Sequence, residues 1–280
     1  MRYLAVLITY LATLSGISAG ATEFRLAVTT TFENSGLSDV ILPQMRRDLG
    51  ITIHALIGGT GQALRWGEAG NVDGLLVHSA EAEKKFVSSG FGVNRRKIMY
   101  NKFVIIGPHG DPAGIASVDT INDAFRKIKR SRSLFISRGD DSGTHRRELK
   151  IWQASGYDVS KFTPSWYRET GSSQGATLNT ASGLNGYALT DQATWLNFSN
   201  KGELIELFSR GPLLRNQYAF VSVNPNRHPS VNYADAMRIE DWLASPHAQK
   251  LIGDYHINGK RMFIPNAQTG SSKKKSGEVK

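Results

Sequence analysis

The chain has no cysteine among its 280 residues. That excludes a disulfide framework, a thiolate metal site, a cysteine nucleophile and a lipid-modified cysteine anchor. Long apolar runs are nearly as scarce. One occupies residues 3–14, and no later stretch reaches membrane-spanning length. Apolar residues make up 40% and charged residues 21%, a balance that excludes a disordered polymer, a collagen-like repeat and a multi-pass membrane protein. There is no Gly-x-Ser-x-Gly elbow, no P-loop and no dinucleotide fingerprint, and no two of the seven histidines have zinc-protease spacing. Acidic residues are in deficit, 24 against 34 Lys and Arg, for a net charge of +10. Arg2 supplies one of these charges and the C-terminal lysines, net of Glu278, three; +6 remains on the body. A basic body suits an anionic ligand or a nucleic acid. The lack of a basic helix counts against the second.

What is present begins with a leader-like start. Arg2 precedes the apolar run, and Ser18, Ala19, Gly20 and Ala21 supply small residues for cleavage near residues 20–21. This is the layout of a secretory signal peptide, so residues 1–21 are excluded from the fold and the mature chain is expected to be exported. Residues 268–280 are small, polar and lysine-rich, and are expected to form a disordered basic tail.

Between these ends, strands and helices alternate. Residues 24–29, 51–57 and 72–77 read as strands, with helices over 35–49, 62–67 and 80–89. The pattern predicts α/β architecture with a mainly parallel sheet in each of two lobes. After a strand at 103–106, a Gly/Pro-rich stretch at 107–114 marks a crossing into a second lobe. Helices at 119–130 and 144–154 and strands at 134–136 and 187–189 fill that lobe. A strand at 219–223 returns to the first, and helices at 233–243 and 246–255 close it. The expected lobes are thus 22–106 with 215–267, and 107–214.

Ligands of open α/β folds sit where strand ends feed helix starts, and three such loops share one composition. SRGDDSGTH at 137–145 offers Arg138, Ser142, Gly143 and Thr144. Backbone amides at a helix start, hydroxyls and a guanidinium fork suit an oxyanion. One capping residue is accounted for by the helix alone; the combination is not. Thr29, Thr30 and Thr31 end the first strand, and Gly58-Gly59-Thr60-Gly61 ends the second. Weaker candidates are Ser79, after the third strand, and Ala176 and Thr177 before a later helix. The histidines read as surface or packing residues. Asp140 and Asp141 leave the anion open: either accepts a phosphate proton, or pairs with Arg138 beside a dianion that has no proton to give.

These segments resemble the periplasmic tungstate-binding components of ABC transporters, the TupA type. The likeness runs through TTTFENSGLSDVILP from Thr29, GGTGQALRWGEAGNVDGLLVHSAEAEKKFV from Gly58, GFGVNRRKIMYNKFVIIGPHGDPAGI from Gly90 and SRGDDSGTHRRELKIW from Ser137. It continues in GATLNTAS from Gly175 and VNPNRHPSVNYADAM from Val223, covering about residues 24–265. The resemblance implies a type II periplasmic-binding-protein fold, tungstate (WO4 2−) or molybdate as ligand with no cofactor, and delivery to an inner-membrane ABC permease. It also implies a monomer in the periplasm and no catalytic or metal-ligating residues. By motif match, Thr30, Thr31, Arg138, Ser142 and Thr144 become ligand donors, with Thr60 placed by fold position. One departure stands out: the family motif Thr-Thr-Thr-Ser ends here in Phe32, which bears on the margin of tungstate over molybdate. A shorter likeness, Arg-x-Asp-x-Ser-Gly-Thr, points to phosphate-binding proteins of the same fold. Ser142 with His145 nearby is the sole support for a hydrolase.

Overall fold

The computed structural model describes residues 22–268. The leader and, but for Gln268, the lysine tail lie outside the described residues. The chain opens with β1 (Thr22–Thr29), α1 (Thr30–Asn34), α2 (Ser38–Leu49), β2 (Ile51–Gly58), α3 (Thr60–Glu68), β3 (Gly74–Val77) and α4 (Ala80–Ser88). Next come β4 (Gly92–Pro108), α5 (Ile121–Ser131), β5 (Phe135–Ser137), α6 (Gly143–Ala154), β6 (Tyr167–Glu169) and α7 (Gln174–Leu184). It continues with β7 (Ala188–Asp191), α8 (Gln192–Asn197), β8 (Leu204–Phe208), β9 (Arg215–Val223), α9 (Tyr233–Ala244) and α10 (Pro246–Gly253), and closes with the short strands β10 (His256–Ile257), β11 (Lys260–Arg261) and β12 (Ile264–Pro265).

The local signals act as their chemistry requires. Gly50 ends α2 in the left-handed region at φ 66°, where a residue without Cβ carries no steric penalty. Thr120 and Ser245 cap α5 and α10 by accepting from backbone amides three residues on. In β1, Phe24, Leu26 and Val28 enter one core while Ala27 enters another. Both faces of the strand are therefore covered, as its continuous apolar run demands.

The sheets are mixed, which corrects the expectation of a mainly parallel sheet in each lobe. β2, β1 and β3 are parallel, but β9 runs antiparallel to both β3 and β4. β7 and β8 also run antiparallel to β4. The cause is topological. β4 carries the chain out of the first lobe and β9 brings it back alongside, so the two must oppose each other. β4 pairs with β9 as far as Lys102, and from Phe103 with β7. One 17-residue strand thus serves two cores.

Those cores differ in kind. The first is mostly aliphatic, with Leu26, Ile41, Met45, Ile239 and Leu243 around Phe24 and Tyr218. The second centres on Trp152, whose indole meets Phe125 edge-on at 4.4 Å and Phe135 at 5.4 Å. Offset and edge-on contacts are the favoured arrangements of aromatic quadrupoles.

Candidate functional site

Three helix starts converge where the two cores meet. Thr29 caps α1, its Oγ1 accepting from the Phe32 amide at 3.2 Å. Gly59 precedes α3, and Ser142 caps α6, its Oγ accepting from the His145 amide at 3.2 Å. The first amides of each helix have no partner within the helix. Close approach across the seam depends on glycine. A Cβ on Gly59 would stand 3.2 Å from the Ser142 Cβ, and one on Gly61 2.9 Å from the Asp141 carbonyl. A Cβ on Gly143 would stand 2.6 Å from His78 Nδ1.

Arg138 lies at the centre, 2% exposed. Its Nη2 donates to Asp140 Oδ2 at 2.5 Å and to Thr30 Oγ1 at 3.4 Å, so it joins the first and third loops. Burial lowers its pKa below the ordinary guanidinium value, against the opposing pull of Asp140 and Asp191. A guanidinium stays charged regardless. Its Nε is buried without a partner, as are Thr60 Oγ1, Thr144 Oγ1 and Ser137 Oγ, the last facing Glu148 and Tyr167 without a close hydrogen bond to either. Unpaired buried polar atoms are costly and uncommon, and here four belong to the predicted donor loops.

The other predicted residues are placed as follows. Thr31 is fully buried, with Oγ1 at 2.7 Å from His78 Nε2 and 3.0 Å from Thr29 Oγ1. Capping at Ser142 uses a lone pair and leaves the hydroxyl proton free. Ser79 is half-buried and makes no side-chain cap. It lines a cavity of about 390 Å³ with Glu81, Asp141, Arg146 and Lys150. Thr177 donates both its amide and its hydroxyl to Ser173 O, leaving neither free. Ala176 is exposed on the first turn of α7, a helix that packs against α1.

The two carboxylates that the sequence left open are both paired. Asp140 holds Arg138 and accepts from the Ser142 amide at 3.2 Å. Asp141 is paired with Arg146 at 2.8 Å and faces Arg65 at 3.8 Å. Ser142 meets the backbone of His145, whose ring Nδ1 accepts from the Asp141 amide instead. Serine and imidazole therefore do not form a nucleophile–base pair.

Residues 16–249 match the model of the PBP superfamily domain. The tungstate-binding protein TupA of Peptoclostridium acidaminophilum is 39% identical over 248 residues, covering 86% of this chain and 85% of that protein. The solved tungstate-binding protein TupA of Desulfovibrio alaskensis G20 is 41% identical, with a TM-score of 0.75 over 89% of this chain and all of that one. This chain belongs to the TupA family. A tungstate ABC transporter structure from Geobacter sulfurreducens, also 41% identical, has a TM-score of 0.76 over 83% of this chain and 98% of its own. The two-lobed fold expected of a TupA-family chain is the fold observed.

Two features of this TupA-family site were not legible in the sequence. Phe32 is fully buried, its ring in the first core and 6.5 Å from Tyr218. The departure from the family motif thus falls on a core position. His78, read as packing, sits among the donors. Ser137 precedes Arg138 directly, and its place at a strand end was the signal that could have found it.

Proposed function

We propose that the chain captures tungstate between its lobes and hands it to an ABC permease in the inner membrane. It acts as a binding protein, without a cofactor and without catalysis. The observation that carries this reading is the buried set of unpaired donors, Thr60, Ser137, Arg138 and Thr144, beside carboxylates that are already paired. Such a site favours a tetrahedral dianion with no proton of its own. Thr30, Thr31 and Ser142 complete the proposed donor set, with the amides of Gly143 and Thr144. Relatives named for tungstate binding and for a tungstate ABC transporter support the same ligand.

We read the lobes as 22–106 with 215–267, and 107–214, closing on the anion as a hinge about β4 and β9. The mature protein is taken to be a periplasmic monomer released by cleavage near residues 20–21. Among the described residues no helix is long and apolar enough to cross a membrane.

Calorimetric titration with tungstate, molybdate, sulfate and phosphate tests the reading. Tight tungstate binding with sulfate silent is expected; no tungstate binding at micromolar concentration would sink it. Phosphate is the second reading, and one observation favours it. Asp191 is buried with Oδ2 unpaired, and burial pushes its pKa up to about 6. An acceptor for a phosphate proton would then appear above that pH, so phosphate binding would strengthen from pH 5 to pH 8. Absence of phosphate binding at both values removes this reading.

A further inference from the structure

His78 sits at the end of β3, 5% exposed, and touches both lobes. Its Nε2 lies 2.7 Å from Thr31 Oγ1, while Nδ1 is buried without a partner against Gly143, the first residue of α6. Its ring lies tilted at 4.8 Å from Tyr218, whose hydroxyl donates to the same Thr31 Oγ1 at 3.3 Å. Burial first, and then the charge of Arg138, hold its pKa down to about 3. The ring is therefore neutral, and one nitrogen carries the proton.

The surroundings choose which. A helix start concentrates positive potential, and Arg138 and Arg147 add their charges at this ring. An N–H at Nδ1 would be a buried donor facing positive charge with no aligned acceptor; the carbonyl of His78 itself and Asn216 are the acceptors near it. A bare lone pair there is favoured. The proton then resides on Nε2, which donates to Thr31.

A hydroxyl has one proton and two lone pairs. With His78 and Tyr218 both donating, the lone pairs of Thr31 are filled and its proton must point away. Two destinations remain, the anion or Thr29 Oγ1 at 3.0 Å. Thr29 already accepts from the Phe32 amide. If it also accepts from Thr31, its own proton turns outward. The hydroxyl chain ends in a donor either way.

We propose that His78 is a positioning residue that sets the direction of the Thr31–Thr29 hydroxyl chain, so that the first lobe presents only protons to the ligand. This deepens the oxyanion reading and rests on it. A chain of freely rotating hydroxyls can accept a proton from hydrogen phosphate; one with its lone pairs filled cannot. The pair of tautomer and hydroxyl chain thus selects tungstate and molybdate over protonated anions.

The test combines a spectrum with two variants. Long-range 1H–15N correlation of His78 in the wild-type protein is expected to show the proton on Nε2 from pH 5 to pH 8. His78→Gln keeps a donor near the Nε2 position and is expected to bind tungstate within about threefold of wild type. His78→Phe keeps the ring but not the donor. It is expected to bind tungstate about tenfold or more weakly, the scale of one hydrogen bond to a charged acceptor, with a lower ratio of tungstate to phosphate affinity. A proton on Nδ1 would overturn the proposal. So would His78→Gln binding as weakly as a folded His78→Phe. Should His78→Phe fail to fold, the spectrum and His78→Gln decide. A wild-type protein that binds no tetrahedral oxyanion would refute the function instead, and the spectrum would still report the tautomer.

Discussion

The two proposed lobes bring polar groups of different kinds to the place where their helix starts converge. In the first, Thr29, Thr31, Tyr218 and the Nε2 of His78 satisfy one another. In the second, Ser137, Thr144 and the Nε of Arg138 have no protein partner, and the buried guanidinium is there too. A self-satisfied network holds its geometry without help, whereas unpaired buried donors gain most from an acceptor. The comparison assigns arrangement to the first lobe's hydroxyl network and most of the binding energy to the second lobe, with Thr60 the first lobe's one unpaired donor.

The largest test of that division is Arg138→Ala. It removes charge-assisted bonds in a desolvated site and leaves Asp140 without its cation. Tungstate affinity is expected to fall roughly 100- to 1000-fold by calorimetry; a loss of a few-fold would place the energy elsewhere. Next comes the core behind that lobe. Trp152→Ala is expected to cost about 3–5 kcal/mol in urea unfolding, because the indole is fully buried and organises the surrounding rings. Equal loss from an aliphatic truncation such as Ile41→Val in the first core would erase the contrast. Smaller again is Thr144→Ala, expected to weaken tungstate binding by roughly 10-fold, the scale of one hydrogen bond to a charged group. Wild-type affinity in that variant would show that the unpaired hydroxyl is not a ligand donor.

The last contrast concerns pH, and the lobes differ in sign. Glu148 is fully buried in α6 and accepts from Tyr167 Oη at 2.8 Å and from Trp152 Nε1 at 3.3 Å. Burial raises its pKa to about 8. Between the ordinary glutamate value and that pKa, the folded state keeps a proton that the unfolded state releases, so stability falls as pH rises. His78 acts oppositely: below the ordinary histidine value the unfolded state binds a proton that the folded state refuses until about pH 3, so stability falls as pH falls. Glu148→Gln should therefore remove a slope of up to about 1.4 kcal/mol per pH unit between pH 5 and 8. Urea unfolding at three pH values measures it, and parallel curves for variant and wild type would contradict it.

Much of this architecture was legible because the chain signals it locally. Alternation of apolar strands with capped helices placed β1, β2 and α6 within two residues of their observed bounds. Loop composition and place between strand and helix singled out Arg138, Ser142 and Thr144, and the family resemblance with fold position added Thr60. Other elements escaped for physical reasons. α1 spans five residues, too few for a helical period. The first half of β4 carries Arg95, Arg96 and Lys97, which interrupt the apolar pattern that marks a strand, so only 103–106 reads as one from the sequence. Sheet direction depends on where the chain crosses between lobes, which no window of residues encodes. His78 looked like one of seven scattered histidines, and only the fold brings Thr31 and Gly143 to its two nitrogens.

The most direct test of the central claim is a crystal structure of the mature protein with tungstate, located by the anomalous signal of the metal. The anion is expected between the lobes, its oxygens within hydrogen-bond reach of Arg138, Thr144 and Ser137 on one side and of Thr60 or the Thr29–Thr31 hydroxyls on the other. It should touch no carboxylate. Tungstate found in the cavity beside Lys150, or against Asp191, would contradict the account.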